Sequence, residues 1–210
     1  MPIGERLRQA RLYLVIDAAA AERVLPAALE GGVDIVQLRE KSASDQEIVE
    51  LARRLRSVCD EHGALFIVND RPDLAVECAA DGVHVGQDDM PLDKARAIVG
   101  DERIVGVSTH SREQVDAAIT SGADYFAVGP VYSTPTKPGR PAVGLELVRY
   151  AAELGTAKPW FAIGGIDDGN VSAVAEAGAA RIVVVRAIRN ANDPRAAAAA
   201  LLRFEEAHVR

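Results

Sequence analysis

The sequence predicts an α/β fold: one (β/α)8 barrel domain spanning residues 1–210. Eight short, β-branched and nearly continuous apolar runs recur along the chain, as expected for parallel strands buried on both faces. Ala-rich stretches separate them, with apolar residues at three- and four-residue spacing that suits helices packed by one face. Regular β/α alternation in series favours a closed barrel over an open doubly wound sheet. The first run is also followed by no GxGxxG, the turn that a dinucleotide-binding sheet would need there.

The elements follow in chain order. Residues 1 to about 10 precede the first run and are expected to form an extra helix across the bottom of the barrel. The runs occupy residues 12–17 (LYLVID), 34–40 (DIVQLRE), 65–70 (LFIVND), 82–86 (GVHVG), 104–109 (IVGVST), 125–130 (YFAVGP), 160–164 (WFAIG) and 181–188 (RIVVVRAI). Residues 45–62 and 112–121 show the helical spacing most clearly. Three joints carry a Gly shortly before the next strand, at 30–36 (EGGVDIV), 121–128 (SGADYFAV) and 177–184 (AGAARIVV). Each is expected to end its helix with a left-handed residue. At 210 residues the chain is short for a fold that typically takes roughly 200 to 250, so the loops must be brief and no domain inserted.

Composition narrows the partners. The net charge of −7 argues against broad attraction to nucleic acid or to an anionic membrane. An anionic substrate must therefore be held by a few focused cations. Cys59 and Cys78 lie in expected helices without metal-ligand spacing and read as reduced structural thiols. With no signal-peptide pattern and no apolar run near the ~18 residues of a membrane span, the expectation is a cytoplasmic protein acting on small molecules, its oligomeric state open.

Barrel active sites lie at the C-terminal strand ends, so polar residues there carry the functional reading. Strand two ends in Gln37-Leu38-Arg39-Glu40-Lys41, where alternation puts Gln37, Arg39 and Lys41 on one face. Two cations and an amide at the mouth suit a phosphate, unless acids such as Glu40 merely pair them. Strand three ends in Asn69-Asp70 before Pro72, and strand four leads to Asp89 before Pro91. Either Asp is a candidate helix cap. Together, on neighbouring strands, they suit Mg2+ shared with substrate phosphates. His84 reads as a wall residue. After strand five, Ser108 is the candidate donor and Ser111 the expected cap of the next helix. The long loop after strand six places Thr134 and Thr136 beside Lys137, a compact anion-binding set. Gly164-Gly165 after strand seven and Val185-Arg186 at the end of strand eight occupy the common phosphate position of this architecture.

The set QLREK, VND, VHVGQDD, VGVSTHS, GPVYSTPTK and AIGGI, in this order over essentially the whole chain, resembles the thiamine-phosphate synthase family. The resemblance implies Mg2+-dependent fusion of an aminopyrimidine diphosphate with a thiazole phosphate, releasing pyrophosphate. It implies that Gln37, Arg39, Lys41 and Asn69 hold the pyrimidine diphosphate, with Ser108 and Lys137 as its remaining contacts. Asp70 and Asp89 match the Mg2+ ligands. Thr134, Thr136, Gly165 and the Val185-Arg186 backbone match the thiazole phosphate pocket. Arg39, Lys41, Ser108 and Lys137 are the expected catalytic residues. The chain departs from the family at one position: a pattern that reads Val-Ser-Ala-Ile is here Val185-Arg186-Ala187-Ile188. Two other readings remain. An isomerase acting on the thiazole phosphate would need a base and no diphosphate clamp, which Gln37, Arg39, Lys41, Asp70 and Asp89 speak against. A silent phosphate-binding regulator would be expected to lose the two carboxylates.

Overall fold

The computed structural model describes residues 1–134, 139 and 141–203. Eight strands, β1 (Leu12–Ile16), β2 (Ile35–Leu38), β3 (Leu65–Asn69), β4 (Gly82–Val85), β5 (Ile104–Thr109), β6 (Tyr125–Val128), β7 (Trp160–Ile163) and β8 (Ile182–Val184), pair in sequence order and close into a barrel. All eight pairings are parallel, including the β1–β8 closure through Leu12↔Ile182. The helices are α1 (Ile3–Gln9), α2 (Ala18–Glu30), α3 (Asp45–Glu61), α4 (Pro72–Glu77), α5 (Leu92–Val99), α6 (Arg112–Thr120), α7 (Gly144–Glu153), α8 (Val171–Glu176), α9 (Arg186–Arg189) and α10 (Pro194–Leu202). The expected barrel with its extra N-terminal helix is what forms.

Two apolar layers result from strand alternation. One, between strands and helices, gathers outward-facing strand residues such as Leu14, Val36, Phe66 and Phe126 with the inner faces of the helices. The other fills the barrel itself with Tyr13, Val15, Ile35, Leu65, Ile67, Ile104, Tyr125, Phe161 and Val183, and takes in Leu7 and Ala10 from α1 and the residue after it. The chain's first helix is therefore the plug at the closed end. At its centre Phe161 packs edge-on against both Tyr13 and Tyr125, each at 5.6 Å between centroids. The same inward parity carries up each strand to polar residues. Gln37 pairs with Val15 and Ile67, Asn69 with His84, and Ser108 with Ala127. Apolar barrel filling and polar mouth are thus one alternating pattern read at two heights.

Local signals explain the boundaries. Ser44 and Glu47 form a capping box that starts α3, and Ser111 caps α6 by accepting from the Gln114 N–H, as expected. Pro72 opens α4, its missing N–H costing nothing in the first turn. Cys59 and Cys78 are buried free thiols, and burial pushes the Cys59 thiol up to about 12.

Two expectations need correction. The run at 181–188 is not one strand: β8 stops at Val184, and Arg186 is the first residue of the single-turn helix α9. The Gly joints also divide. Gly32 and Gly178 have φ near +100°, but Gly122 does not, because Ser121 in extended backbone already ends α6.

Candidate active site

A cavity of about 260 Å³ opens at the C-terminal ends of the strands. Its lining includes Gln37, Arg39, Asn69 and Ser108 on one side, and Gly164, Gly165, Val185 and Arg186 on the other, with Thr134 from the loop after β6. Thr136 and Lys137 lie outside the described residues.

The floor is polar and buried. Gln37, His84 and Ser108 are 5%, 7% and 8% exposed. The Gln37 side-chain nitrogen lies 2.6 Å from the Tyr13 hydroxyl, which lies 2.9 Å from the Tyr125 hydroxyl. The Tyr125 hydroxyl is 2.9 Å from His84 Nδ1, and His84 Nε2 is 2.9 Å from Ser108 Oγ. Burial holds both phenols well above their ordinary pKa, so they act as neutral hydroxyls. His84 stands in the cavity wall, as expected, whereas in sequence Tyr13 and Tyr125 look like any aromatics of an apolar run. Their signal was the inward parity shared with Gln37 and His84, which has meaning only once the barrel register is known.

The end of β2 departs in one respect from the expected shared face. The strand stops at Leu38; Gln37 and Arg39 line the cavity, whereas Lys41 stands in the exposed bend beyond. From there its ammonium lies 3.6 Å from an Asp70 carboxylate oxygen. Glu40 does not serve as partner to these cations in the way a rim charge would. Its carboxylate accepts from Ala18 N–H, Lys41 N–H, Ser42 N–H and the Ser42 hydroxyl, which lowers its pKa to about 2. The acid shapes the loop, and the Arg39 guanidinium makes no ion pair among the described residues.

Asp70 and Asp89 meet at the edge of the mouth, and neither is a helix cap. Arg71 holds the cap position of α4 and Pro91 that of α5, both without a side-chain bond. Asp89 instead accepts from the Gly86 N–H at 3.0 Å. The Asp70 backbone N–H donates to the His84 carbonyl at 2.8 Å and its φ is +61°, a left-handed conformation that Asp and Asn tolerate better than most residues. Burial pushes the Asp70 carboxyl above its ordinary pKa, and Asp89 beside it adds to the rise; Lys41 opposes both. Two carboxylates crowded together, with the Lys41 ammonium beside one of them, are a donor pair that could share a divalent ion. No group of three His, Cys, Asp or Glu that could hold a metal occurs among the described residues. The donor set is two hard oxygens with positions left for water and phosphate, which suits Mg2+ rather than a closed structural metal.

On the opposite wall, Gly164 and Gly165 have φ of +107° and +67°. A side-chain carbon at Gly164 would fall 2.4 Å from Pro130 Cα, and one at Gly165 would fall 2.8 Å from Tyr132 Cβ. Glycine is required here on both counts. The turn brings bare backbone to the cavity wall, facing Val185, Arg186 and Ala187 at the start of α9. Arg186 is exposed, and its guanidinium is bonded to no other described residue.

A family model described as thiamine monophosphate synthase matches residues 12–188. Thiamine-phosphate synthase of Acidothermus cellulolyticus is 54% identical over 92% of this chain and 93% of its own. That of Saccharopolyspora erythraea is 55% identical over 95% of this chain and 94% of its own. The solved structure of thiamine phosphate pyrophosphorylase from Pyrococcus furiosus superposes with a TM-score of 0.86 at 35% identity, covering 98% of this chain and all of that one.

Proposed function

Because the chain belongs to the thiamine monophosphate synthase family, we propose that its barrel mouth joins an aminopyrimidine diphosphate to a thiazole phosphate, giving thiamine phosphate and pyrophosphate. It is a transferase of thiamine biosynthesis. The observation that carries the assignment of roles is the division of one cavity into two anion-receptive walls. Gln37, Arg39, Asn69 and Ser108 stand on one side, and the Gly164-Gly165 turn faces Arg186 on the other.

The diphosphate takes the first wall. The carbon–oxygen bond at the pyrimidine's exocyclic methylene breaks, the electron pair leaves on the diphosphate oxygen, and the carbon is left as a cation that the amino-substituted ring stabilises. The thiazole nitrogen then supplies the pair for the new carbon–nitrogen bond. That nitrogen carries no proton, so no general base is required. What the protein must supply is charge for the leaving group and alignment for the incoming one. Arg39 offers a planar fork to the diphosphate, and Lys41, poised beside Asp70, offers a point charge. Lys137 is assigned to the same anion. Gln37, Asn69 and Ser108 hold the pyrimidine. Asp70 and Asp89 would hold Mg2+, which when bound supplies further positive charge to the departing diphosphate. Thr134, Thr136, Gly165, Val185 and Arg186 receive the thiazole phosphate, by backbone N–H groups and the Arg186 guanidinium. No helix of the described residues is long and apolar enough to cross a membrane.

The assignment of the two walls is tested by Arg39→Ala and Lys137→Ala. Each is expected to lower the rate of pyrophosphate release while leaving the KM for thiazole phosphate within about twofold, because the lost charge acts on the leaving group. An equal loss of thiazole phosphate affinity in both variants would show the walls to be exchanged.

A further inference from the structure

The polar floor beneath the cavity is continuous: Gln37, Tyr13, Tyr125, His84 and Ser108 form one chain of hydrogen bonds across the barrel, and its two ends face the cavity. We propose that this chain is a one-way relay in which Gln37 sets the tautomer of His84, so that Gln37 presents an acceptor and Ser108 a donor to the bound pyrimidine. Tyr13, Tyr125 and His84 are then positioning residues for the two groups that touch substrate. The ligand named in this inference rests on the function proposed above; the direction of the relay does not.

With the Gln37 amide nitrogen turned toward Tyr13, the direction follows from counting protons. The Gln37 side-chain nitrogen can only donate, so the Tyr13 oxygen accepts from it. Tyr13 keeps its own proton and is 1% exposed; the one remaining partner of its hydroxyl among the described residues is the Tyr125 oxygen. Tyr125, fully buried, must then pass its proton to His84 Nδ1. An Nδ1 that accepts from Tyr125 belongs to a neutral imidazole carrying its proton on Nε2, and that N–H donates to Ser108 Oγ. The Ser108 hydroxyl proton is left for the cavity. At the other end the Gln37 carbonyl oxygen, bonded to no other described residue, is left as an acceptor. Within these four bonds, the arrangement that also gives every proton an acceptor is the reverse one, in which the Gln37 amide turns over and every bond reverses together. The two ends therefore never act independently, and the cavity always offers one donor and one acceptor. A 4-aminopyrimidine has the complementary pair, an amino group that donates and ring nitrogens that accept.

The surrounding packing is built around this chain. A side-chain carbon at Gly106 would fall 2.1 Å from Tyr125 Cζ, so the phenol has its place because residue 106 has no side chain. Phe161 wedges both tyrosine rings edge-on, fixing their hydroxyls within reach of one another.

The test reads the His84 tautomer in the ligand-free protein, by two-bond proton–nitrogen correlation on 15N-histidine-labelled samples, with His84→Gln assigning the signal among four histidines. The expected result is a neutral ring protonated on Nε2. Gln37→Glu, read at a pH where the new carboxyl is ionised, replaces a donor with a group that only accepts, so Tyr13 must donate to it and the whole chain must reverse. The His84 proton then moves to Nδ1, although residues 37 and 84 are not bonded to each other. In Tyr125→Phe, which keeps the ring and removes the link, adding Gln37→Glu should no longer move the proton. Tyr13→Phe supplies the same cut should Tyr125→Phe fail to fold. A parent ring protonated on Nδ1, a tautomer indifferent to Gln37→Glu, or one that still responds in the cut background would each overturn the relay. With substrates, Tyr125→Phe, which removes both bonds of that hydroxyl, should raise the KM for the pyrimidine diphosphate by about tenfold, as when one substrate hydrogen bond is no longer held in place, and leave that for thiazole phosphate unchanged. Equal rises in both would overturn the link to the pyrimidine. Absence of pyrophosphate release from the parent protein would instead sink the proposed function, leaving the tautomer measurements as the test of the relay.

Discussion

Asp70 opposes stability at a position where the proposed function needs a carboxylate. Its carboxyl is partly buried, lies beside Asp89 and has its pKa raised above the ordinary carboxylate range. A carboxylate whose pKa is raised by folding binds its proton more tightly in the folded state. It therefore costs stability at neutral pH, and that cost begins to shrink as pH reaches its folded pKa and is gone below its unfolded one. Asp70→Asn removes the charge and still suits a φ of +61°. In metal-free buffer at pH 7 the variant should melt at or above the parent's temperature, while losing about a hundredfold or more in activity. A lower melting temperature would mean that Lys41 more than compensates for Asp89. Arg186 is the second residue with a definite expectation. Exposed at the first position of α9 and lining the cavity, it should contribute one charge-assisted bond to the thiazole phosphate. Arg186→Ser should then raise the KM for that substrate by about tenfold. An unchanged KM would place the guanidinium in solvent during turnover. The residues at strand ends were legible in the sequence because charge and amide side chains stand out against apolar runs. Tyr13 and Tyr125 were not, since a buried phenol differs from a buried phenyl ring only in where its hydroxyl points.

Elements were legible to the extent that burial writes a long pattern. Residues 45–62 announce α3 by apolar spacing over several turns, and the structure ends that helix one residue earlier. α9 is a single turn, too short to show any period, and it follows three valines, so its residues read as a continuation of β8. The turn after β7 depends on geometry that sequence states only as two glycines. Gly165→Ala would place a side chain in a left-handed conformation and 2.8 Å from Tyr132 Cβ. It should cost at least about 1 to 2 kcal/mol, seen as an earlier denaturant midpoint with an unchanged slope, and should weaken thiazole phosphate binding. Retention of both properties would show that the turn can rearrange without loss.

At the scale of the whole molecule, the barrel keeps its stability and its chemistry at opposite ends. The closed end is a packed apolar plug with Leu7 and Ala10 beneath Tyr13 and Phe161; the open end carries cavity-lining polar groups such as Gln37, Arg39, Asn69 and Ser108. Leu7→Ala should therefore destabilise the fold by roughly 2 to 5 kcal/mol and leave KM values for both substrates alone at temperatures where the variant is folded. A change in KM would mean that the ends are mechanically coupled. The central claim, that this mouth joins the two substrates with Mg2+ supporting the departing diphosphate, is tested most directly by following pyrophosphate and thiamine phosphate together with the parent protein. The expected result, with both substrates and Mg2+ present, is one pyrophosphate per thiamine phosphate, and neither at a comparable rate when Mg2+ is chelated. Thiamine phosphate formed at an undiminished rate under chelation would contradict the role of Asp70 and Asp89, and pyrophosphate released with both substrates present but no thiamine phosphate formed would contradict the joining reaction itself.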